Sequence, residues 1–216
     1  EYDLSHKALL RQLNKPISHF DLQVTLQKFM AYGRVAHSRI DFPSLEFERY
    51  RASGGGILPL QVKIRDGHAF VVADLSEEAE SKIAPGEEIV SINGTPFASW
   101  RKRMLANVSA DNDRLADTLL ELRLPALLWL EVGAVDSFAL GVRGTNGTTS
   151  SLKLRSGSRE TMQAAAARQP KRLELDWTSR EARMLEGEIA YLRPGPFFDS
   201  RPDAANMWDP SAFSTF

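Results

Sequence analysis

Few residue types in this chain could do chemistry. It holds four histidines and no cysteine. The lack of cysteine excludes disulfides, thiolate zinc sites and a cysteine nucleophile. His6, His19, His37 and His68 show no metal-ligand spacing, and no His-Glu-x-x-His occurs, so neither a metal nor a cofactor is expected. Serines are plentiful, but none stands in Gly-x-Ser-x-Gly, the strained turn that exposes a nucleophile. No complete hydrolytic constellation is legible from spacing. Gly54-Gly55-Gly56 lacks the Gly-Lys-Ser/Thr of a phosphate loop and reads as a flexible loop. Of the histidines, His6 and His19 lie on expected helices as surface residues, and His68 follows Gly67 at a hairpin tip. His37 differs. It follows the N-terminal helical segment at a helix-to-strand junction, where a side chain can project into a cleft. An unperturbed imidazole titrates near pH 6.5 and can accept a hydroxyl proton at neutral pH.

The chain that positions these residues has 216 residues, 43% hydrophobic and 25% charged. That suits one large domain or two small ones. A net charge of −1 argues against nucleic acid as a partner. No apolar run approaches the roughly 18 residues of a membrane span. Asn93-Gly94-Thr95, Asn107-Val108-Ser109 and Asn146-Gly147-Thr148 match a glycosylation acceptor pattern that also arises by chance.

Hydrophobic periodicity supplies the elements. Residues from about 3 to 33 read as helical, interrupted at Pro16, with Ser18 capping a second helix and Gly33 ending it. Leu22, Leu26, Phe29 and Met30 recur at helical spacing and are expected in the core. Ile40 to Tyr50 reads as short extended pieces around Pro43, and Arg51 to Gly56 as a loop. Leu60, Val62 and Ile64 alternate, Asp66-Gly67 turns the chain, and Ala69 to Val72 returns as a partner strand. Ile89, Val90 and Ile92 form another buried strand, closed by the turn Asn93-Gly94.

Residues from about 97 to 131 read as helical, with "SADND" as a break. Trp100, Met104, Leu105 and Val108, then Leu115, Leu119, Leu120 and Leu122, give apolar stripes. Pro125 is placed at the start of a further turn of helix. Phe138 to Val142 and Ser151 to Leu154 alternate as strands. "SRETMQAAAARQPKR" reads as an exposed, partly helical excursion, and "RLELDW" and "EIAYLRPGPF" as two further strands. Residues 199–216 begin as a loop and head toward a helix. The sequence opens without Met and stops on Phe216, which leads to the expectation of a processed or truncated product with more protein beyond Phe216.

Three pieces, in order, resemble one family. "RVAHSRIDFP", Arg34 to Pro43, is similar to the Gly-Asp-Gly-His-Thr-Arg segment after the N-terminal helices of the tail-specific (C-terminal processing) serine peptidases, clan S41. "DGHAFVVADL" with "APGEEIVSINGTPF" resembles that family's PDZ-type region, which reads Gly-Asp-x-Ile-x-x-Ile-Asn-Gly. "GEIAYLRPGPFFDS" resembles the strand that opens its catalytic core. The chain departs from the pattern in four places. Val35-Ala36 replaces Asp-Gly, and Ser38 replaces Thr. Gly55-Gly56-Ile57-Leu58 is only a loose stand-in for the Gly-φ-Gly-φ loop of PDZ domains. The Asp-x-Arg-x-Asn-x-Gly-Gly strand that precedes the nucleophilic serine is absent.

The resemblance implies an α+β chain. Residues 1–50 would form an N-terminal helical subdomain. Residues 51–160 would form a PDZ-like, partly open β-barrel with a helical insertion. Residues 161–216 would begin the peptidase core. It implies an N-terminal fragment, inactive alone, that presents extended polypeptide to a catalytic core beyond Phe216, in a periplasmic or secreted setting. His37 would be the general base, with Ser38 or Arg39 orienting it or binding substrate; a later lysine takes that role in other branches. Substrate would lie along Gly56, Ile57, Leu58 and Leu60, gaining main-chain hydrogen bonds by strand addition. The alternative is a non-catalytic PDZ-like peptide-binding or envelope scaffold protein.

Overall fold

The computed structural model describes residues 2–77, 83–169 and 181–193. Contacts divide the chain into two compact units, Glu1–Gln169 and Pro170–Phe216.

The first unit opens with two helices, α1 (Tyr2–Leu13) and α2 (His19–Tyr32). Ser18 caps α2, its hydroxyl accepting from the Asp21 N–H at 3.0 Å, as the sequence led one to expect. The helix ends at Gly33, but Gly33 keeps a right-handed φ of −68°, and Arg34 is the residue that turns left-handed, at φ 53°. The apolar stripe of α2 is only half-buried: Leu22, Leu26, Phe29 and Met30 are all intermediate, and Gln27 and Ala31 are the buried positions. The helical pair lies on the outside of the unit, and α1 buries no residue at all.

A third helix, α3 (Ser44–Ala52), occupies the stretch expected to be extended. Pro43 starts it, and its amphipathic pattern is weak. Packing decides instead: Phe47 and Tyr50 lie against Trp129, ring centroids 5.2 and 5.4 Å away. Arg51, expected in a flexible loop, is 7% exposed and belongs to this helix. Its Nη1 donates to the carbonyls of Gly55 (2.7 Å) and Gly157 (2.8 Å).

Strands β1 (Leu60–Arg65) and β2 (His68–Asp74) form the expected hairpin. Asp66 and Gly67 have φ of 50° and 81°, the two left-handed positions that a two-residue hairpin turn demands. Leu60, Val62 and Ile64 point into the core, and Gln61, Lys63 and Arg65 point out. Strand β3 (Glu88–Ile92) pairs with both β2 and β5 (Ser137–Arg143), and through the Asn93-Gly94 turn with the two-residue β4 (Thr95–Pro96). Strand β6 (Thr149–Arg155) completes a six-stranded antiparallel sheet in the order β1-β2-β3-β5-β6, with β4 beside β3. Gly141 of β5 lies where the register with β3 breaks. A Cβ there would run into the Ser91 hydroxyl, which would have to move aside, so glycine eases that approach.

The two edges of this sheet meet at one place. Ile57 and Gly157 exchange main-chain hydrogen bonds of 3.1 and 2.8 Å. The sheet is therefore curled but not a closed barrel, and the fold is α+β.

Two helices, α4 (Phe97–Leu105) and α5 (Asp113–Val132), cover the sheet. Asn112 caps α5, accepting from the Leu115 N–H at 2.9 Å. The helix runs unbroken through Pro125, which was expected to begin a new turn. Proline has no N–H, so the Glu121 carbonyl loses its usual helical partner. Leu120, Leu124, Leu127 and Leu128 are essentially fully buried, whereas Leu122, expected on the apolar stripe, is 76% exposed. The core joins these leucines with Leu60, Val62, Ile64, Ile89, Ile92, Leu140 and Leu154 of the sheet and with Trp100 and Met104 of α4. Each such side chain contributes about 1.5–3 kcal/mol of burial.

Helix α6 (Arg159–Arg168) ends the described part of this unit. Ala165 packs with Ala73, Leu75 and Met162 in a small second cluster. In the second unit, β7 (Glu181–Leu185) and β8 (Ile189–Arg193) form a hairpin. The expected strand "RLELDW" and the expected loop and helix over 199–216 lie outside the described residues. No helix among the described residues is long and apolar enough to cross a membrane.

Candidate functional site

The edge strand β1 and the N-terminal half of α5 enclose a groove of about 640 Å³. Lys63, Ile64, Arg65 and the Asp66-Gly67 turn form one wall. Asp113, Arg114, Asp117, Thr118 and Glu121 form the other, and Arg101 of α4 closes one end. The helical spacing of Asp117 and Glu121, i and i+4, puts both carboxylates on the face of α5 that looks at the strand.

Each carboxylate is already matched. Asp117 takes a two-pronged contact from Arg101, Nε to Oδ1 at 2.7 Å and Nη2 to Oδ2 at 3.0 Å. This hydrogen-bonded carboxylate holds the Arg101 pKa above its ordinary value, against the opposing effect of burial. Glu121 reaches the strand itself. Its Oε1 accepts from the main-chain N–H of Ile64 at 2.7 Å, and its Oε2 accepts from Lys63 Nζ at 2.8 Å. The Ile64 amide therefore points away from β2, out of the sheet. Strand geometry turns the amide of Val62, two residues earlier, toward the same edge.

The lining residues are Lys, Arg, Asp, Glu, Ile, Gly and Thr, without histidine or serine. Such a groove can hold an extended chain by main-chain hydrogen bonds. It has no nucleophile and base side by side.

A smaller hollow of about 330 Å³ lies around the other side of the hairpin tip. There Glu88 joins three strands. Its Oε1 lies 2.6 Å from His68 Nδ1, and its Oε2 accepts from Arg143 Nη1 at 2.7 Å. Arg143 stands directly opposite Glu88 across β3 and β5, and His68 sits diagonally across β2 and β3. His68 is thus partly exposed, as expected of a turn residue, but partnered.

His37 lies in a turn between α2 and α3 and is exposed, with no side-chain hydrogen bond, ion pair or ring contact among the described residues. The turn itself is held. The Ala36 N–H donates to Asp111 Oδ1 at 2.9 Å, and Arg34 Nη2 donates to Asp113 Oδ1 at 2.6 Å. His37 therefore stands beside the segment that leads into α5. Ser38 is exposed, and Arg39 pairs with Asp41 at 3.0 Å.

The residues expected to line substrate have the following places in the fold. Gly56 gives its carbonyl to the Tyr50 hydroxyl at 2.7 Å. Ile57 pairs with Gly157. Leu58 and Leu60 are 0% and 2% exposed, with their side chains in the core. What the sequence did not single out is the next part of the same strand, Val62 to Ile64, with Lys63 and Glu121. The alternation of β1 marks Lys63 as outward, but nothing local pairs it with a helical glutamate 58 residues away.

Serine chemistry finds no support in the geometry. Ser-x-x-Lys spacing occurs twice, at Ser99–Lys102 and Ser150–Lys153. Ser99, Lys102, Ser150 and Lys153 are all exposed, and no hydrogen bond joins either serine to its lysine. No serine hydroxyl among the described residues is hydrogen-bonded to a histidine. Asn107, in one acceptor pattern for glycosylation, is 4% exposed and out of reach of a modifying enzyme in the folded chain.

No known protein family matches the chain, and no curated protein matches it. Solved structures do. Mature CPAF complexed with lactacystin superposes with a TM-score of 0.53 at 16% identity, over 98% of this chain and 46% of that one. Mature CPAF alone gives 0.51 with the same identity and coverage. A serine-to-alanine variant of CPAF gives 0.50 over 98% of this chain and 47% of that one.

The fold is similar to that of CPAF. CPAF is a chlamydial serine protease, and the likeness to it is one of fold. This chain spans about half the length of these CPAF structures.

Proposed function

We propose that this chain is the substrate-presenting, N-terminal part of a tail-specific type serine peptidase, and that extended polypeptide adds as a strand along the outer edge of β1. The observation that carries the proposal is the groove between β1 and α5. Its wall is a main-chain edge whose outward Ile64 N–H already binds an acceptor oxygen. An added strand would supply carbonyls to that edge, while hollows along the groove read alternate side chains. The ordered resemblance of "RVAHSRIDFP", the PDZ-type region and "GEIAYLRPGPFFDS" supports the peptidase assignment. So does a fold shared with slightly under half of a serine protease.

In this proposal the groove binds and the chemistry is done elsewhere. His37 is the candidate general base toward a serine outside this chain; it is exposed and has no side-chain partner among the described residues, which leaves it available for that role. Polypeptide is the substrate class. The periplasmic or secreted location rests on the family resemblance.

The test is an amide NMR titration with a capped, uncharged, apolar peptide. Shifts centred on the amides of Val62 and Ile64, lost when Thr118→Trp fills the groove, are the expected result. Shifts elsewhere, or none, overturn the proposal. Thr118 is an exposed wall residue, so its replacement leaves the core intact.

A further inference from the structure

We propose that Glu121 is a built-in competitor for the strand-addition edge, so that an incoming chain binds only by displacing its carboxylate from Ile64. This inference rests on the strand-addition reading above.

Three observations carry it. First, β1 is a terminal strand of its sheet, so its outward main-chain groups have no strand partner. An unpaired edge invites pairing with any other chain, and proteins commonly cover such edges. Second, α5 lies along this edge, and one of its side chains occupies the Ile64 amide. Glu121 presents one carboxylate oxygen to the Ile64 N–H at 2.7 Å, the place where the carbonyl of an added strand would sit. The two acceptors cannot share the position. Third, Glu121 is held there. Its other oxygen binds Lys63 Nζ at 2.8 Å, and the glutamate side chain is 10% exposed while the lysine is 55% exposed. Lys63 is on the strand, so the strand supplies both donors and the helix supplies the plug. Pro125, one turn further along α5, leaves the Glu121 carbonyl without its helical N–H partner.

The groove charge fits this role. Asp117 is taken by Arg101, so Glu121 is the wall carboxylate whose partner is the strand edge itself. Removing it frees one amide and one ammonium for a ligand carbonyl. Two charge-assisted hydrogen bonds no longer have to be broken on binding, and these are stronger than the neutral bond that replaces one of them.

The experiment measures affinity for the capped, uncharged, apolar peptide in the unmodified chain and in three variants. Glu121→Ala is expected to bind about tenfold more tightly, the size of one charged hydrogen bond's net worth. Glu121→Gln, which keeps a side-chain carbonyl for the Ile64 amide but loses the ion pair, and Lys63→Met, which removes the second anchor, are expected to fall between. Thermal melting of each variant shows whether it is folded. A glutamate with a purely structural role predicts a lower melting temperature and equal or weaker binding. If the Ile64 amide shifts and Thr118→Trp abolishes binding, yet Glu121→Ala binds no more tightly, the competitor role is wrong and the groove proposal stands. If neither the unmodified chain nor Glu121→Ala shifts the Ile64 amide, both fail together.

Discussion

The guanidinium of Arg51, on α3, donates to the carbonyl of Gly157, just beyond β6, across 106 residues of sequence. This bond sits at the seam where Ile57 and Gly157 bring the two edges of the sheet together. A buried arginine with carbonyl partners is an expensive way to close a seam, and burial, followed by the nearby Arg159, lowers its pKa. The carbonyls of Gly55 and Gly157 have that guanidinium as partner. Arg51→Met keeps much of the stem and removes both bonds. We expect a loss of about 2–3 kcal/mol, read by urea denaturation. A loss under about 0.5 kcal/mol, typical of plain surface changes, would show that the seam does not depend on Arg51.

Tyr50 adds a pH dependence to the same seam. Burial raises its pKa above 10.0, against the opposing field of Arg51. The folded state thus favours the neutral phenol, which donates to the Gly56 carbonyl at 2.7 Å. A raised folded pKa contributes stability that is fully present below the unfolded value and is lost as pH rises through the folded one. Stability should therefore fall above pH 10, and Tyr50→Phe should flatten that fall. Denaturation midpoints from pH 9 upward check this. Parallel curves for the two proteins would remove Tyr50 as the cause.

The register of α5 is testable with two leucines. Leu124 is 0% exposed and Leu122 is 76% exposed. Leu124→Ala should cost about 2–5 kcal/mol, and Leu122→Ala should stay within about 0.5 kcal/mol of the unmodified chain. Equal effects would mean that the helix is rotated relative to the sheet.

The chain as it stands should not hydrolyse an unfolded protein above the buffer blank. A serine nucleophile needs a base within hydrogen-bond reach, and the described residues show no serine–histidine pair. Cleavage blocked by a serine-directed inhibitor would overturn this. His37→Ala should leave folding within about 0.5 kcal/mol, because the side chain is exposed and unpartnered. In a protein that carries the serine segment as well, the same change should lower turnover by roughly 10²–10⁴-fold if His37 is the base. Unchanged turnover would assign His37 to the surface.

Local chemistry was enough to place some elements. Asp66-Gly67 and Asn93-Gly94 turn because their residues accept positive φ, and the structure shows it at all four. Ser18 caps because its hydroxyl has a free N–H within one turn. Leu60, Val62 and Ile64 point inward because a half-buried strand has a period of two. Each of these depends on a few adjacent residues, and so each can be read from them.

Helix α3 could not be read that way. Its residues have a weak helical pattern, and it becomes a helix by placing Phe47 and Tyr50 against Trp129, a partner distant in sequence. Arg51 looked like loop because one of its two carbonyl acceptors, Gly157, lies on a segment that only folding brings near. The expected ligand strip, Gly56 to Leu60, and the open edge of β1 differ for a related reason. Sequence alternation shows which side chains of a strand face inward, but not which of its main-chain edges finds a neighbour. Tertiary pairing made Ile57 the seam and left Val62 to Ile64 at the open edge. Glu121 meets Ile64 across 57 residues through the packing of a helix on a sheet, where local periodicity carries no information.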